Sequence, residues 1–339
     1  MNIDEIARIS GVSKATVSRV INKSELVKPE TREKVQKVID ENGFTPSAIA
    51  RSLSVQNTMN VGVIFPDLAN PFYTGVLGGI TTEAEAGGYN VFLYNSDESP
   101  EREHRFLQAM RHQRVEGVIV TPVSGDDVFT RFILEDFERN GLPVVLLDRD
   151  FKSGDFSAVM AENMQGAYNA TKQLITEGHE RIAIIEGSTG VKPIFERTIG
   201  YFRALQEAHI PTRDSYILKG NLKSNLTYEL MEGLMGQTYP PTAIFSCNNM
   251  MTLGCLRYLT EKHLRIGRDV SLIGFDDIET LKIIDYGLSV VDRSEREMGS
   301  RAMRMLKERI AEPNQPKRVE TIPTQLILRG SERWNHGEK

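Results

Sequence analysis

The chain has 339 residues, of which 40% are hydrophobic and 26% charged, as is ordinary for a globular protein of two or three domains. No apolar run approaches the ~18–20 residues that a membrane span needs, and the N-terminus lacks the pattern of a secretory signal. We therefore expect a cytoplasmic protein without a membrane partner. The two cysteines, Cys247 and Cys255, are spaced neither as a redox pair nor as a zinc site.

The net charge of -5 is unevenly distributed along the chain. Residues 1–60 carry nine Lys/Arg and seven Asp/Glu, a net charge of +2, so residues 61–339 carry 32 basic and 39 acidic side chains, a net charge of -7. A mildly basic head on an acidic body permits contact with nucleic acid at one end only. The difference is small and proves nothing alone.

Three short helices are predicted within the first 45 residues. Asn2 followed by Glu5 is a capping-box pattern for the first helix, and Gly11 ends it. Ser13 is a good N-cap for the second helix, and Pro29 is a good first residue for the third. A helix, a short turn with glycine and a second helix form the helix-turn-helix layout, in which the second helix enters the major groove of DNA.

The second predicted helix carries its apolar residues on one side, which leaves a polar side for base edges. Arg19 can donate two hydrogen bonds to a guanine, Lys14 can reach a guanine or a phosphate, and Ala15 can contact a thymine methyl group. From this pattern alone, a three-helix bundle with a merely solvated polar face is an equally good interpretation.

A short segment after Pro46 separates these helices from the rest of the chain. Residues 47–53 are enough for about two helical turns, which are marginal in water, so we expect disorder until a partner supports them. On composition alone, a plain linker is the better interpretation.

From residue 60 onward, continuous apolar runs such as 61–65, 117–120 and 270–273 alternate with helical stretches. This alternation predicts parallel sheets that are covered by helices on both faces. The pairs of one predicted strand and one predicted helix are too many for one six-stranded sheet. We therefore predict two doubly wound subdomains, with a ligand in the crevice at the carboxyl ends of the strands.

The predicted strand ends carry no enzyme motif. The phosphate-loop, dinucleotide and nucleophile-elbow patterns are missing from the sequence, and the six histidines are scattered without a metal-type pair. We therefore expect neither catalysis nor a metal or cofactor.

Several stretches resemble the lactose-repressor (LacI/GalR) family of bacterial transcriptional regulators. Residues 3–22, with Gly-Val-Ser at 11–13 and Thr-Val-Ser-Arg-Val at 16–20, are similar to its headpiece. Residues 143–149, 178–183 and 269–277 are similar to its effector domain. The resemblance implies an α/β protein with a helix-turn-helix headpiece and a periplasmic-binding-protein-like effector domain of two doubly wound parallel-sheet subdomains. It also implies a homodimer that binds palindromic double-stranded operator DNA under the control of a small-molecule effector.

The domains that the resemblance implies are a DNA-binding headpiece at 1–45, a hinge helix and linker at 46–58, and an effector-binding and dimerisation domain at 59–339. One subdomain of the last takes about 59–160 and 291–321, and the other about 161–290 and 322–339. The chain then crosses between the subdomains near residues 161, 290 and 322.

The resemblance assigns the DNA contacts to the second helix and the hinge. In this family two hinge helices pair in the minor groove and a leucine wedges between base pairs, which bends the DNA. Leu53 falls at that position, although Ser54 stands where some members carry a basic residue. The DNA-binding residues that we predict are Ser13, Lys14, Ala15, Thr16, Ser18, Arg19, Asn22, Ile49, Ala50 and Leu53.

The resemblance also assigns an effector pocket. Phe72 would stack on a sugar ring, Asp148 would accept sugar hydroxyls and Asp276 would cap the ligand. The alternative roles for these residues are strand-end capping and ion pairing. The effector-binding residues that we predict are Phe72, Asp148, Lys192, Arg197, Asn248, Asp276 and Arg293.

Arg293 stands where many members carry a glutamine, and Lys192 lies shortly before Arg197 in the chain. Because burying a second arginine without a counter-charge is expensive, a sugar acid or a sugar phosphate is a hypothesis for the effector. The alternative is that Arg293 turns away from the crevice and pairs with Asp292 or Glu297.

Two rival functions share the predicted body. A solute receptor of a transporter would need a signal peptide and would have no counterpart of residues 1–53, and an enzyme on this scaffold would need a catalytic motif. The sequence therefore favours a sequence-specific DNA-binding regulator, most simply a repressor, that responds to a carbohydrate-like effector. An inducing effector and a corepressing effector both remain as alternatives.

Overall fold

The computed structural model of the protein describes residues 2–22, 26–43, 58–187 and 190–334. The chain divides into two units, Met1–Met59 and Asn60–Lys339, here called the headpiece and the body. The predicted hinge residues Ile49, Ala50 and Leu53 lie outside the described residues.

The headpiece contains the helices Ile3–Ser10 (α1), Lys14–Asn22 (α2) and Pro29–Glu41 (α3). The predicted capping box is present, because Glu5 N donates to Asn2 Oδ1 at 3.0 Å and Asn2 N donates to Glu5 Oε2 at 2.9 Å. Gly11 ends α1 in the left-handed conformation that a glycine adopts without strain. The helices pack around the buried residues Ile6, Ala7, Val17, Val20, Val35, Val38 and Ile39.

In the body, strands and helices alternate as the sequence predicts, and a 3₁₀ turn at Asp214–Tyr216 precedes β7. The elements in chain order are Asn60–Phe65 (β1), Pro71–Ala86 (α4), Asn90–Asn95 (β2), Pro100–Gln113 (α5), Gly117–Val120 (β3), Val128–Arg139 (α6), Val144–Leu147 (β4), Ser157–Ala161 (β5), Asn163–Thr176 (α7), Ile182–Glu186 (β6), Lys192–Glu207 (α8), Ile217–Lys219 (β7), Ser224–Met235 (α9), Ala243–Ser246 (β8), Asn249–Glu261 (α10), Ser271–Phe275 (β9), Glu279–Ile283 (α11), Ser289–Arg293 (β10), Glu295–Ala311 (α12), Val319–Ile322 (β11) and Thr324–Ile327 (β12).

The strands form two six-stranded sheets with the orders β11-β5-β4-β3-β1-β2 and β12-β10-β9-β8-β6-β7. The first sheet is parallel throughout, whereas β12 runs antiparallel to β10 at the edge of the second. We call the two sheets with their helices the first lobe and the second lobe. The predicted fold class is confirmed.

The chain passes between the lobes after β5, after β10 and between β11 and β12. The boundary that the sequence predicts near residue 290 differs in one detail. Residues 291–293 still belong to β10 in the second sheet, because Val291 pairs with Phe275 of β9 and Arg293 with Thr324 of β12. The crossing therefore follows Arg293, which places this side chain at the junction of the two lobes.

The first lobe is held together by the close crossing of α4 and α12. A Cβ atom on Gly79 would lie 2.1 Å from the Arg296 carbonyl oxygen, and one on Gly299 would lie 2.0 Å from the Val76 carbonyl oxygen. Only glycine fits at both positions, and the crossing fixes the helix whose first turn carries Phe72. None of the helices in the described part of the chain is long and apolar enough to span a membrane.

Candidate DNA-binding face and effector crevice

The outward side of α2 carries the side chains that the sequence predicts for base contacts. Lys14, Ala15 and Arg19 are exposed. Lys14 Nζ lies 3.0 Å from Asp4 Oδ2, but both side chains are more than half exposed, so this pair contributes little and exchanges readily for a DNA group.

Ser13 and Thr16 shape the start of α2. Thr16 N donates to Ser13 Oγ at 3.1 Å, and the two hydroxyl oxygens lie 2.9 Å apart. This cap fixes where the helix begins and therefore which residues its first turn presents. Ser18 is half-buried, and Asn22 is the last residue of α2.

The body has a crevice between its lobes at the carboxyl ends of the strands. Asp148 follows β4, Asp276 follows β9 and Arg293 ends β10, all at positions where parallel strands direct polar side chains toward a ligand. The structure brings six of the seven predicted effector residues to the walls of this one crevice: Phe72, Asp148, Arg197, Asn248, Asp276 and Arg293.

Arg293 points into the centre of the crevice and is only 3% exposed. Its Nε donates to Asp276 Oδ1 at 2.7 Å, its Nη2 donates to Asp276 Oδ2 at 3.4 Å, and its Nη1 donates to Asp148 Oδ1. The guanidinium carbon lies 3.8 Å from the centroid of the Phe72 ring. The alternative in which Arg293 turns away toward Asp292 or Glu297 is therefore wrong.

Arg197 is the second buried cation of the crevice. Its Nε and Nη2 donate to Asn163 Oδ1 at 3.0 and 2.8 Å, and its Nη1 donates to the Cys247 carbonyl. The guanidinium carbon lies 3.4 Å from the centroid of the Phe275 ring. Burial, and then the charge of Arg293, lower the pKa of Arg197 to about 10, so it remains a cation at neutral pH.

The buried acids and bases of the crevice hold one another in their charged forms. Burial alone would raise the pKa of Asp148, but the charges of Arg293 and Arg197 outweigh it and lower the pKa. Burial would lower the pKa of Arg293, but Asp148 and Asp276 outweigh it and raise the pKa. Two carboxylates thus balance two guanidinium groups, and this part of the crevice is electrically neutral.

Asn248 and Lys192 lie at the edge of the crevice. Asn248 Oδ1 accepts from Met251 N at 2.7 Å and Nδ2 donates to the Leu222 carbonyl at 3.3 Å, so the amide caps α10 while lining the wall. Lys192 Nζ lies 2.6 Å from Asp150 Oδ2 at the rim, where it links the second lobe to the first. The structure therefore places Lys192 at the mouth and not in the pocket.

The crevice wall also contains residues that the sequence analysis did not select. Arg149 is buried and makes two hydrogen bonds to Glu98, at 2.7 and 3.0 Å. Because Arg149 directly follows Asp148 at the end of β4, its position was a usable signal. The other wall residues that we missed are Asp67, Asn70, Tyr73, Glu98, Val191, Pro193, Ile194 and Leu222.

Comparison with known proteins agrees with this architecture. Residues 2–47 match the family described as bacterial regulatory proteins, lacI family, and residues 58–329 match periplasmic binding proteins and the sugar binding domain of the LacI family. The HTH-type transcriptional repressor PurR of Vibrio atlanticus (strain LGP32) is 33% identical over 330 residues, which cover 97% of this chain and 98% of the relative.

Two solved structures extend the similarity over both units. The transcriptional regulator CelR in complex with cellobiose is 27% identical, with a TM-score of 0.73 over 98% of this chain and 99% of that one. The lac repressor dimer bound to operator and the anti-inducer ONPF is 23% identical and shares the fold, with a TM-score of 0.84 over 98% and 99% of the two chains.

The chain belongs to the lacI family of bacterial regulatory proteins. It is a DNA-binding transcription regulator under the control of a small-molecule effector, and not an enzyme. The resemblance that the sequence motifs predict is confirmed over both units.

Proposed function

We propose that the chain is a cytoplasmic homodimeric repressor that binds a palindromic operator through α2 and responds to a small polyhydroxylated effector in the crevice. The observation that supports the effector site most strongly is that Asp148 of the first lobe and Asp276 of the second both line one buried crevice beside Phe72. Carboxylates accept hydrogen bonds from hydroxyl groups, and an aromatic face covers the apolar side of a sugar ring.

The DNA-binding part of the proposal rests on the exposed side of α2. Arg19, Lys14 and Ala15 form a surface with a guanidinium, an ammonium and a methyl group, which match the edges of guanine and thymine in the major groove. The assignments of Ile49, Ala50 and Leu53 to the minor groove rest on the resemblance of the hinge sequence and stay predictions.

The charge balance of the crevice bears on the class of effector. The hypothesis of a sugar acid or sugar phosphate assumed that Arg293 is buried without a counter-charge from the protein. Arg293 is paired with Asp148 and Asp276, so the protein itself supplies the counter-charge. We therefore propose a neutral polyhydroxylated ligand, in line with the cellobiose that the related CelR binds.

A thermal-shift screen of ribose, hexoses, disaccharides and their acids or phosphates tests this proposal. A neutral sugar should raise the melting temperature, and calorimetry should show tighter binding than to the matching uronate or phosphate. Preference for the anionic member of each pair would contradict the neutral class. A screen with no ligand, together with no specific binding to any palindromic operator, would contradict the proposed function. Electrophoretic mobility shift with and without the sugar then separates an inducer from a corepressor.

A further inference from the structure

The guanidinium of Arg293 lies in the place that the proposed function gives to the effector. It is stacked on Phe72 and hydrogen-bonded to Asp148 and Asp276, which are the groups proposed to hold a sugar ring and its hydroxyls. At 3% exposure, the side chain makes these contacts away from solvent. We propose that Arg293 is an internal ligand, which occupies the effector position in the effector-free protein and clamps the two lobes together.

The clamp spans the two lobes because its two acids belong to different sheets. Asp148 follows β4 of the first sheet, and Asp276 follows β9 of the second. Arg293 is the last residue of β10, directly before the chain crosses into the first lobe with α12. One side chain at the junction therefore ties together two strand ends that would separate if the lobes moved apart.

Two ion pairs at the mouth are consistent with lobes that are drawn together. Lys192 of the second lobe lies 2.6 Å from Asp150 of the first, and Lys223 of the second lobe lies 3.8 Å from Asp97 of the first. These side chains are substantially exposed, so each pair contributes little alone. The buried contacts of Arg293 are the ones that water does not weaken.

The clamp also restricts which ligands can enter, and this part of the inference rests on the proposed effector site. A ligand that displaces the guanidinium must satisfy both carboxylates, because a buried carboxylate without a partner is costly. A ligand with a single donor leaves either Asp148 or Asp276 unpaired. Arg293 therefore selects ligands with at least two neighbouring hydroxyl or amino donors, and it links their entry to a change in the angle between the lobes.

The test measures the distance between the lobes in the effector-free, full-length chain. Spin labels are attached through Glu101→Cys in the first lobe and Asn225→Cys in the second, both at exposed positions. The two native cysteines are buried and do not compete for the label. Pulsed electron resonance compares wild type, Arg293→Ala and the matched control Arg329→Ala. Arg329 pairs with Asp277 at 2.6 Å within the second lobe and so spans no junction.

The expected result is a shift to longer distances in Arg293→Ala, with wild type and Arg329→Ala both at the short distance. Millimolar methylguanidinium, which fits the vacated place, should return Arg293→Ala to the short distance and leave wild type unchanged. A label distance in folded Arg293→Ala equal to that of wild type overturns the clamp, and so does an opening that methylguanidinium does not reverse. If Arg293→Ala does not fold, Asp148→Asn decides, since it removes the negative charge that Arg293 meets in the first lobe and keeps the pair with Asp276.

This test contains no effector, so its outcome is separate from that of the proposed function. A closed Arg293→Ala variant that still binds a neutral sugar refutes the clamp alone. If the distance test supports the clamp but the thermal-shift screen finds no sugar that binds, only the proposal of a polyhydroxylated effector is refuted.

Discussion

Asp148 and Asp276 occupy equivalent positions in the two sheets. Each is the residue directly after the third strand from one edge of its sheet, β4 in the first and β9 in the second. Both adopt the left-handed backbone conformation, with φ of 63° and 69°, and the amide of each donates at 2.9 Å to the next strand, to Val159 and to Val291. A non-glycine residue seldom adopts this conformation, and here it turns both carboxylates into the same crevice.

Because Asp276 completes this pair of carboxylates, Asp276→Asn should weaken the binding of the sugar found by thermal shift about 10- to 150-fold, the range for a lost charged hydrogen bond of ~1.5–3 kcal/mol. Calorimetry measures the affinity, and mobility shift shows whether DNA binding still responds. The matched control is Asp277→Asn, because Asp277 is the next residue but pairs with Arg329 outside the crevice. Equal loss of sugar affinity in both variants would make Asp276 structural.

Arg19→Ala should cost ~1–3 kcal/mol of operator affinity at one base pair and relax specificity there, because Arg19 is exposed on the helix that enters the major groove. The measurement is the ratio of the affinities for the cognate operator and for single-base variants of it, at one fixed salt concentration. Lys37→Ala is the control, since Lys37 is also an exposed cation but lies on α3. If Arg19→Ala keeps the wild-type ratio between operators, the residue contacts only the phosphate backbone or no DNA at all.

Gly79→Ala should destabilise the body by about 1–3 kcal/mol, since the added methyl group would meet the Arg296 carbonyl at 2.1 Å within the crossing of α4 and α12. Gly78→Ala is a matched control in the same helix, because a Cβ there has no described neighbour within 4 Å. That variant should be neutral or more stable by about 0.5–1 kcal/mol. Thermal unfolding followed by circular dichroism compares them. Equal melting temperatures for the two variants would show that the crossing relaxes without cost.

The fold was predictable because its signals are local. Apolar runs such as 61–65 and 270–273 are buried on both faces of their sheets, and the caps at Asn2 and Ser13 depend on neighbouring residues. The residues that line the crevice were predictable one at a time from strand ends and family resemblance. Their charge pairing was not, because Asp148 and Arg293 are 145 positions apart and meet only when two sheets face each other. For the same reason the pairing of Lys192 with Asp150 of the other lobe was not visible in the sequence.

Glu103 should make the stability of the first lobe depend on pH. Its side chain is fully buried on α5 and accepts hydrogen bonds from Val123 N at 2.9 Å and Thr130 Oγ1 at 2.8 Å. Burial is the main cause that raises its pKa from 4.5 to about 7, against the hydrogen bonds from Thr130 and Val123, which lower the pKa. The charge of Asp127 adds a smaller upward contribution. A raised carboxyl pKa means that folding favours the protonated form. The stabilising contribution is therefore complete below the unfolded pKa and is lost as the pH rises through about 7.

Relative to Glu103→Gln, which does not titrate, the wild type should accordingly lose up to about 3 kcal/mol of stability between pH 4.5 and pH 7 and no more above it. Urea unfolding of both proteins at several pH values measures the difference, and the contributions of the other ionisable groups largely cancel because both proteins share them. Glu101→Gln is the control on the same helix, since Glu101 is exposed and its pKa is lowered by the hydrogen bond from Ser99. The stability difference between wild type and Glu101→Gln should therefore stay flat between pH 4.5 and pH 7, because a lowered carboxyl pKa changes stability only below about pH 4.5. Parallel pH profiles for wild type and Glu103→Gln would mean that folding does not raise the pKa of Glu103.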